Sequence, residues 1–118
     1  MNPKHGDKKY LEHILECIDL ISVHLKTGGG GKQGFLQHVT VKEAVLRTLQ
    51  VMSESTQRLS SAAKASAPEI EWQDISDFRN VLAHEYLGDL DLEIVWKVIE
   101  QKLPDLQASI QRIYKAYK

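Results

Sequence analysis

Apolar residues recur at steps of three and four in four separate stretches of this chain, and strand-like alternation is absent. Leu11, Ile14, Leu15, Ile18, Ile21 and Leu25 form the first stripe, which predicts a helix from Asp7 to Thr27 after a loose start over residues 1–6. Asp7 is placed to cap it, and Gly28-Gly29-Gly30-Gly31 stops it, since glycine gives up the most chain entropy in a helix. Residues 27–35 read as a flexible interhelical loop, with a ligand-contacting loop as the alternative. Lys32 does not make this a phosphate loop, because G-x4-G-K-[ST] is absent and no strand precedes it. A second helix is predicted over Val39–Ala63, with Val41, Val45, Thr48, Met52, Ser55 and Leu59 on one stripe and Val39, Leu46 and Leu49 on another. So wide an apolar arc packs on two neighbours, one of which another subunit could supply.

Ser60 to Pro68, rich in Ser and Ala, reads as a frayed end and turn. The third helix is predicted from Trp72 to Tyr86, with Ile75, Phe78 and Leu82 inward, Trp72 as a core aromatic and Gly88 as its stop. Asp91 caps the last segment, whose stripe runs Leu92, Trp96, Ile99, Leu103, Leu106, Ile110, Ile113, Tyr117. Its phase survives Pro104, whose ring clashes with the carbonyl of Glu100 in a regular helix. One kinked helix or two helices end to end satisfy that pattern. The prediction is an all-α, antiparallel four-helix bundle, one domain over residues 1–118, with the last helix kinked or broken near Pro104.

At 118 residues the chain has room for one core. No run reaches the ~18 apolar residues of a membrane span, and Met1–Lys9 lack an apolar core for a secretory signal. Cys17 is the single cysteine, so neither an intrachain disulfide nor a thiolate metal cluster is available, and a cytoplasmic location is expected. No cofactor is implied. The net charge is −1, but residues 69–105 hold ten acids and three bases, a balance of −7 that leaves +6 elsewhere. An acidic half suits a basic protein partner, and RNA would need positive charge from the other half or from a second subunit.

Candidate chemistry concentrates in Asp77-Phe78-Arg79-Asn80-Val81-Leu82-Ala83-His84-Glu85-Tyr86, followed by Gly88. Arginine offers a fixed cationic fork for phosphate, and histidine exchanges a proton near neutral pH. Considered alone, Arg79 would be an ion-pair residue with Asp74, Asp77 or Glu85, and Tyr86 a helix-end aromatic with a wet hydroxyl. Arg79 and His84 stand five residues apart, about 140° around a helix, so they do not share a face. Two copies meeting across a dyad would bring two arginines and two histidines to one cleft.

Arg79, His84 and Tyr86 spell R-x4-H-x-Y, and the chain resembles the HepT-type toxins of the HEPN superfamily, small all-helical ribonucleases. Pro68-Glu69-Ile70, Trp72, Asp91-Leu92-Glu93-Ile94-Val95-Trp96 and Leu103-Pro104 flank the motif as in that family, and the resemblance covers roughly residues 40–115. It implies a homodimer with its active site at the interface, an RNA substrate cut without metal, and Arg79 and His84 as catalytic residues. Asn80 would hold the motif backbone or a phosphate. Glu54, in Ser53-Glu54-Ser55, would orient Arg79 or be a solvated or capping carboxylate. It also implies a minimal nucleotidyltransferase antitoxin that adenylylates Tyr86. The alternative is a non-catalytic HEPN module that binds nucleotide or a partner protein.

Overall fold

The computed structural model describes residues 3–83 and 90–117, and His84, Tyr86 and Gly88 lie outside that range. All regular structure among the described residues is helical: α1 (Pro3–Thr27), α2 (Gly31–Gln37), α3 (Val39–Gln57), α4 (Ser61–Ala65), α5 (Trp72–Ala83), α6 (Leu92–Lys97), a π-helical turn (Val98–Lys102) and α7 (Leu103–Lys115). The α1–α3 pair is the most extensive contact, and α5 packs on α3 while α7 packs on α1. The apolar stripes meet at Leu11, Ile14, Ile21, Val45, Leu49, Val95 and Ile110, all of which are fully or almost fully buried.

The first helix begins at Pro3, four residues before Asp7. Asp7 is therefore not a cap. It is 3% exposed and accepts hydrogen bonds from the Ser60 N–H and hydroxyl and from the Tyr117 hydroxyl. Proline is pre-set for a first helical turn, where its missing N–H costs nothing.

The glycine stretch is only partly a loop. Gly30 N–H bonds Leu25 O at 2.8 Å and Gly29 N–H bonds Lys26 O at 3.1 Å, with Gly29 at φ 92°. That pair of bonds is a Schellman cap, which needs a left-handed residue. The chain then turns at once into α2, which buries Phe35 completely. Phe35 stacks on Trp96, ring centroids 5.9 Å apart, and Lys32 pairs with Glu93 at 2.6 Å. Packing against α6 makes helical a segment whose composition disfavours it.

Helix α3 ends at Gln57, and Ser60 opens α4 by accepting the Ala63 N–H. The expected single helix to Ala63 is thus two, because Ser60 competes for the backbone as an N-cap. Val39, expected inward, is 66% exposed at the first position of α3. Asp91 caps α6 as the sequence predicts, accepting from Glu93 N–H at 2.9 Å. Helix α6, the π turn and α7 follow without an intervening loop, and Leu103 N–H bonds Val98 O, five residues back. The wider turn stands directly before Pro104, where a regular helix would drive the ring into the Glu100 carbonyl.

Candidate active site

Helix α5 carries the described part of the motif. Leu82 is buried at 4% exposure, and Ile75 and Phe78 are half-buried against the core, which fixes the helix on α3. Trp72 is likewise half-buried, and its indole N–H donates to Lys64 O at 3.0 Å, tying the start of α5 to α4. Arg79 is half-buried and Asn80 exposed on the same helix.

The acids around Arg79 are engaged elsewhere. Asp77 accepts from Gln73 Nε2 at 3.0 Å. Glu71 shares a hydrogen bond with Asp74, and that bond, with the Asp74 charge, raises the Glu71 pKa while Lys102 opposes the rise. Neither ion pair among the described residues includes Arg79.

Along the side of α5 that carries Phe78 and Val81 lies an open groove of about 410 Å³, and Arg79 is not among its lining residues. Met52 and Ser53 of α3, Phe78 and Val81 of α5, and Val98 and Leu106 farther along the chain contribute to its walls. Glu71, Asp74, Asp77 and Asp105 also line it. A polyanion is repelled there, so it must reach Arg79 from another side. Glu69, at the groove's end, accepts from Ser109 at 2.8 Å and pairs with Arg112 at 2.7 Å. The Arg112 hydrogen bond is the main cause that lowers the Glu69 pKa to about 2.

Glu54 faces a different groove, lined also by Lys9, Tyr10, Glu12, His13 and Arg58. No described hydrogen bond or ion pair joins it to Arg79. His13, to which the sequence assigns nothing, bridges Ser55 Oγ at 2.5 Å and Cys17 Sγ at 3.6 Å. Burial, then the Glu16 charge, pushes the Cys17 thiol up to about 11, so it is an inert core residue. The structure thus brings Arg79 and Asn80 together on α5 and sets Glu54 on the α1 side of α3. The acid-lined groove escaped the sequence reading, although Glu71, Asp74 and Asp77 at steps of three beside Ile75 and Phe78 carried its signal.

An all-helical chain with Arg79 on a helix pinned to the core fits a small helical nuclease class. The profile of the family described as "Ribonuclease HepT-like" matches residues 9–113, and the chain belongs to that family. Among curated relatives, "Probable ribonuclease HepT" of Thermococcus cleftensis is 30% identical over 95% of this chain and 99% of its own. The "Putative RNase TTE0752" of Caldanaerobacter subterraneus subsp. tengcongensis is 26% identical over 94% of this chain and 96% of its own. A longer Methanocaldococcus jannaschii protein, "Gamma-glutamylcyclotransferase and putative RNase MJ0434", is 29% identical over 90% of this chain and 46% of its own. No solved structure matches. Among the described residues, no helix is long and apolar enough to cross a membrane.

Proposed function

We propose that this chain is a metal-independent endoribonuclease that acts as a homodimer and is the toxin of a toxin–antitoxin pair. The observation that carries the reading is R-x4-H-x-Y, Arg79 to Tyr86, in a chain whose match to the HepT-like ribonuclease family spans residues 9–113. His84 takes the proton of a ribose 2′-OH, and the 2′-oxygen attacks phosphorus as the bond to the 5′-oxygen breaks. The leaving oxygen receives a proton from a histidine, and the product is a 2′,3′-cyclic phosphate. Arg79 holds the charge that builds on the equatorial oxygens, and Asn80, exposed one residue on, positions the motif backbone or a phosphate. The roughly 140° that a regular helix would put between Arg79 and His84 is met by pairing two copies.

Tyr86 is the control point in this reading. A minimal nucleotidyltransferase antitoxin would catalyse attack of the phenol oxygen on the α-phosphorus of ATP. Pyrophosphate leaves and the phenol proton goes to solvent or base. Arg79 and Tyr86 are seven residues apart, about two turns on a continuing helix, so the added AMP sits over Arg79. Its phosphodiester occupies the arginine and repels RNA. A second reading, a non-catalytic HEPN module that binds nucleotide or a protein, draws on the acid-lined groove beside α5.

The test is cleavage of single-stranded RNA by partner-free chain in EDTA. Arg79→Ala and His84→Ala should each abolish cleavage with unchanged circular dichroism. Cleavage that persists in His84→Ala removes the acid–base role, and none by the wild type favours the binding module.

A further inference from the structure

The groove along α5 has a chemistry of its own. Its floor is apolar, with Ile75, Phe78, Val81 and Val98 among the lining residues, and Val81 remains 46% exposed. One edge is an acid ridge: Glu71, just before α5, and Asp74 and Asp77 on it recur every three residues, about 4.5 Å per step on a helix. Asp105 stands on α7, and Lys102 is the one cation among the described lining residues. Glu69 is already matched by Arg112 at 2.7 Å, whereas Glu71, Asp74 and Asp77 enter no ion pair among the described residues and Asp77 accepts only from the neutral Gln73 amide.

We propose that this groove docks a basic amphipathic helix of another protein. Its apolar stripe lies along Ile75, Phe78 and Val81, and its lysine or arginine side chains meet Glu71, Asp74 and Asp77. Helices read grooves through anchors at i, i+3, i+4 and i+7, and the ridge repeats at a spacing that a helix laid along α5 can match. Charge selects this occupant. RNA would set phosphates against carboxylates. A second copy using the same face across a two-fold axis would set ridge against ridge, and like charges juxtaposed at an interface are costly. The surface goes beyond the cleavage reading and stands without it.

A labelled peptide tests this, with leucine repeating at i, i+3, i+4 and i+7 and lysine elsewhere, titrated with the full chain by fluorescence anisotropy. Saturable binding is expected. It should weaken about tenfold when Glu71→Lys and Asp74→Lys are combined, and about tenfold in Val81→Asp, with circular dichroism unchanged. Replacing the peptide's lysines by glutamate should abolish binding. The proposal falls if a scrambled peptide of equal composition binds as tightly, or if the charge reversals leave affinity unchanged. It also falls if those reversals alter sedimentation of the chain alone, which would put a second copy in the groove. RNA that loses binding in Val81→Asp while the peptide does not would overturn it as well.

Discussion

A carboxylate at 3% exposure is tolerable only when its oxygens are filled, and both Asp7 oxygens are. Oδ1 takes the Ser60 N–H, and Oδ2 takes the Ser60 and Tyr117 hydroxyls. The group joins the start of α1, the α3–α4 turn and the C-terminal end of α7, three places far apart in sequence. Asp7→Ala should cost about 2–4 kcal/mol in urea unfolding, since the Ser60 N–H is left unpaired, and Tyr117→Phe about 1 kcal/mol. Glu69 offers a titration test. Its folded pKa, about 2, lies below the ordinary 4.5, so its stabilisation is present above pH 4.5 and is lost as pH falls through about 2. Thermal melting of wild type and Glu69→Gln should differ most above pH 4.5 and converge by about pH 2; a constant gap would remove Arg112 and Ser109 as the cause. The side chain of Glu69 is 45% exposed, which keeps the effect modest. At this scale the sequence is legible for core positions such as Leu11, Met52 and Ile110, whose periodicity is local. It misreads Asp7 as a helix cap and leaves the placement of Glu54 open, because a partner many residues away decides both.

The last helical stretch and the glycine stretch fared differently because periodicity is a long signal and glycine a local one. The stripe from Leu92 to Tyr117 kept its phase over many turns, and the π turn before Pro104 absorbs one residue of misfit without breaking the run. Helix α2 holds two glycines in seven residues, so no propensity argument finds it, and Phe35 is its only large fully buried side chain. Two substitutions probe why it forms. A Cβ on Gly34 would stand 2.6 Å from the Gly28 carbonyl oxygen, backbone that cannot swing aside. Gly34→Ala should therefore destabilise by about 1–3 kcal/mol, although alanine is the better helix former. Phe35→Ala empties the space against Trp96 and should cost about 3–5 kcal/mol. Denaturant midpoints check both, and a stabilised Gly34→Ala would mean that the Gly28–Gly34 contact is not tight.

For the whole molecule the decisive relation is between charge and geometry. Residues 69–105 carry −7 against +6 elsewhere, and the acid ridge concentrates part of that −7 beside α5. Arg79 thus lies within the acidic part of the sequence, and a lone copy offers RNA little attraction there. In the proposed dimer a second copy would supply a second arginine and histidine, which answers the roughly 140° that five residues of regular helix would put between Arg79 and His84. The all-α architecture was legible because each of the long helices announces its own buried face. How two copies would meet was not, since an interface has no period of its own and the wide apolar arc of α3 is largely spent on α1 and α5. Mixed dimers separate the possibilities. Arg79→Ala and His84→Ala chains, each inactive alone, are denatured together and refolded at equal concentration. If each cleavage centre takes Arg79 from one protomer and His84 from the other, half of the dimers are mixed. Each mixed dimer then regains one of two centres, about a quarter of the wild-type rate. If both residues act within one protomer, the mixture stays as dead as its components, and two copies are needed for something other than building the site.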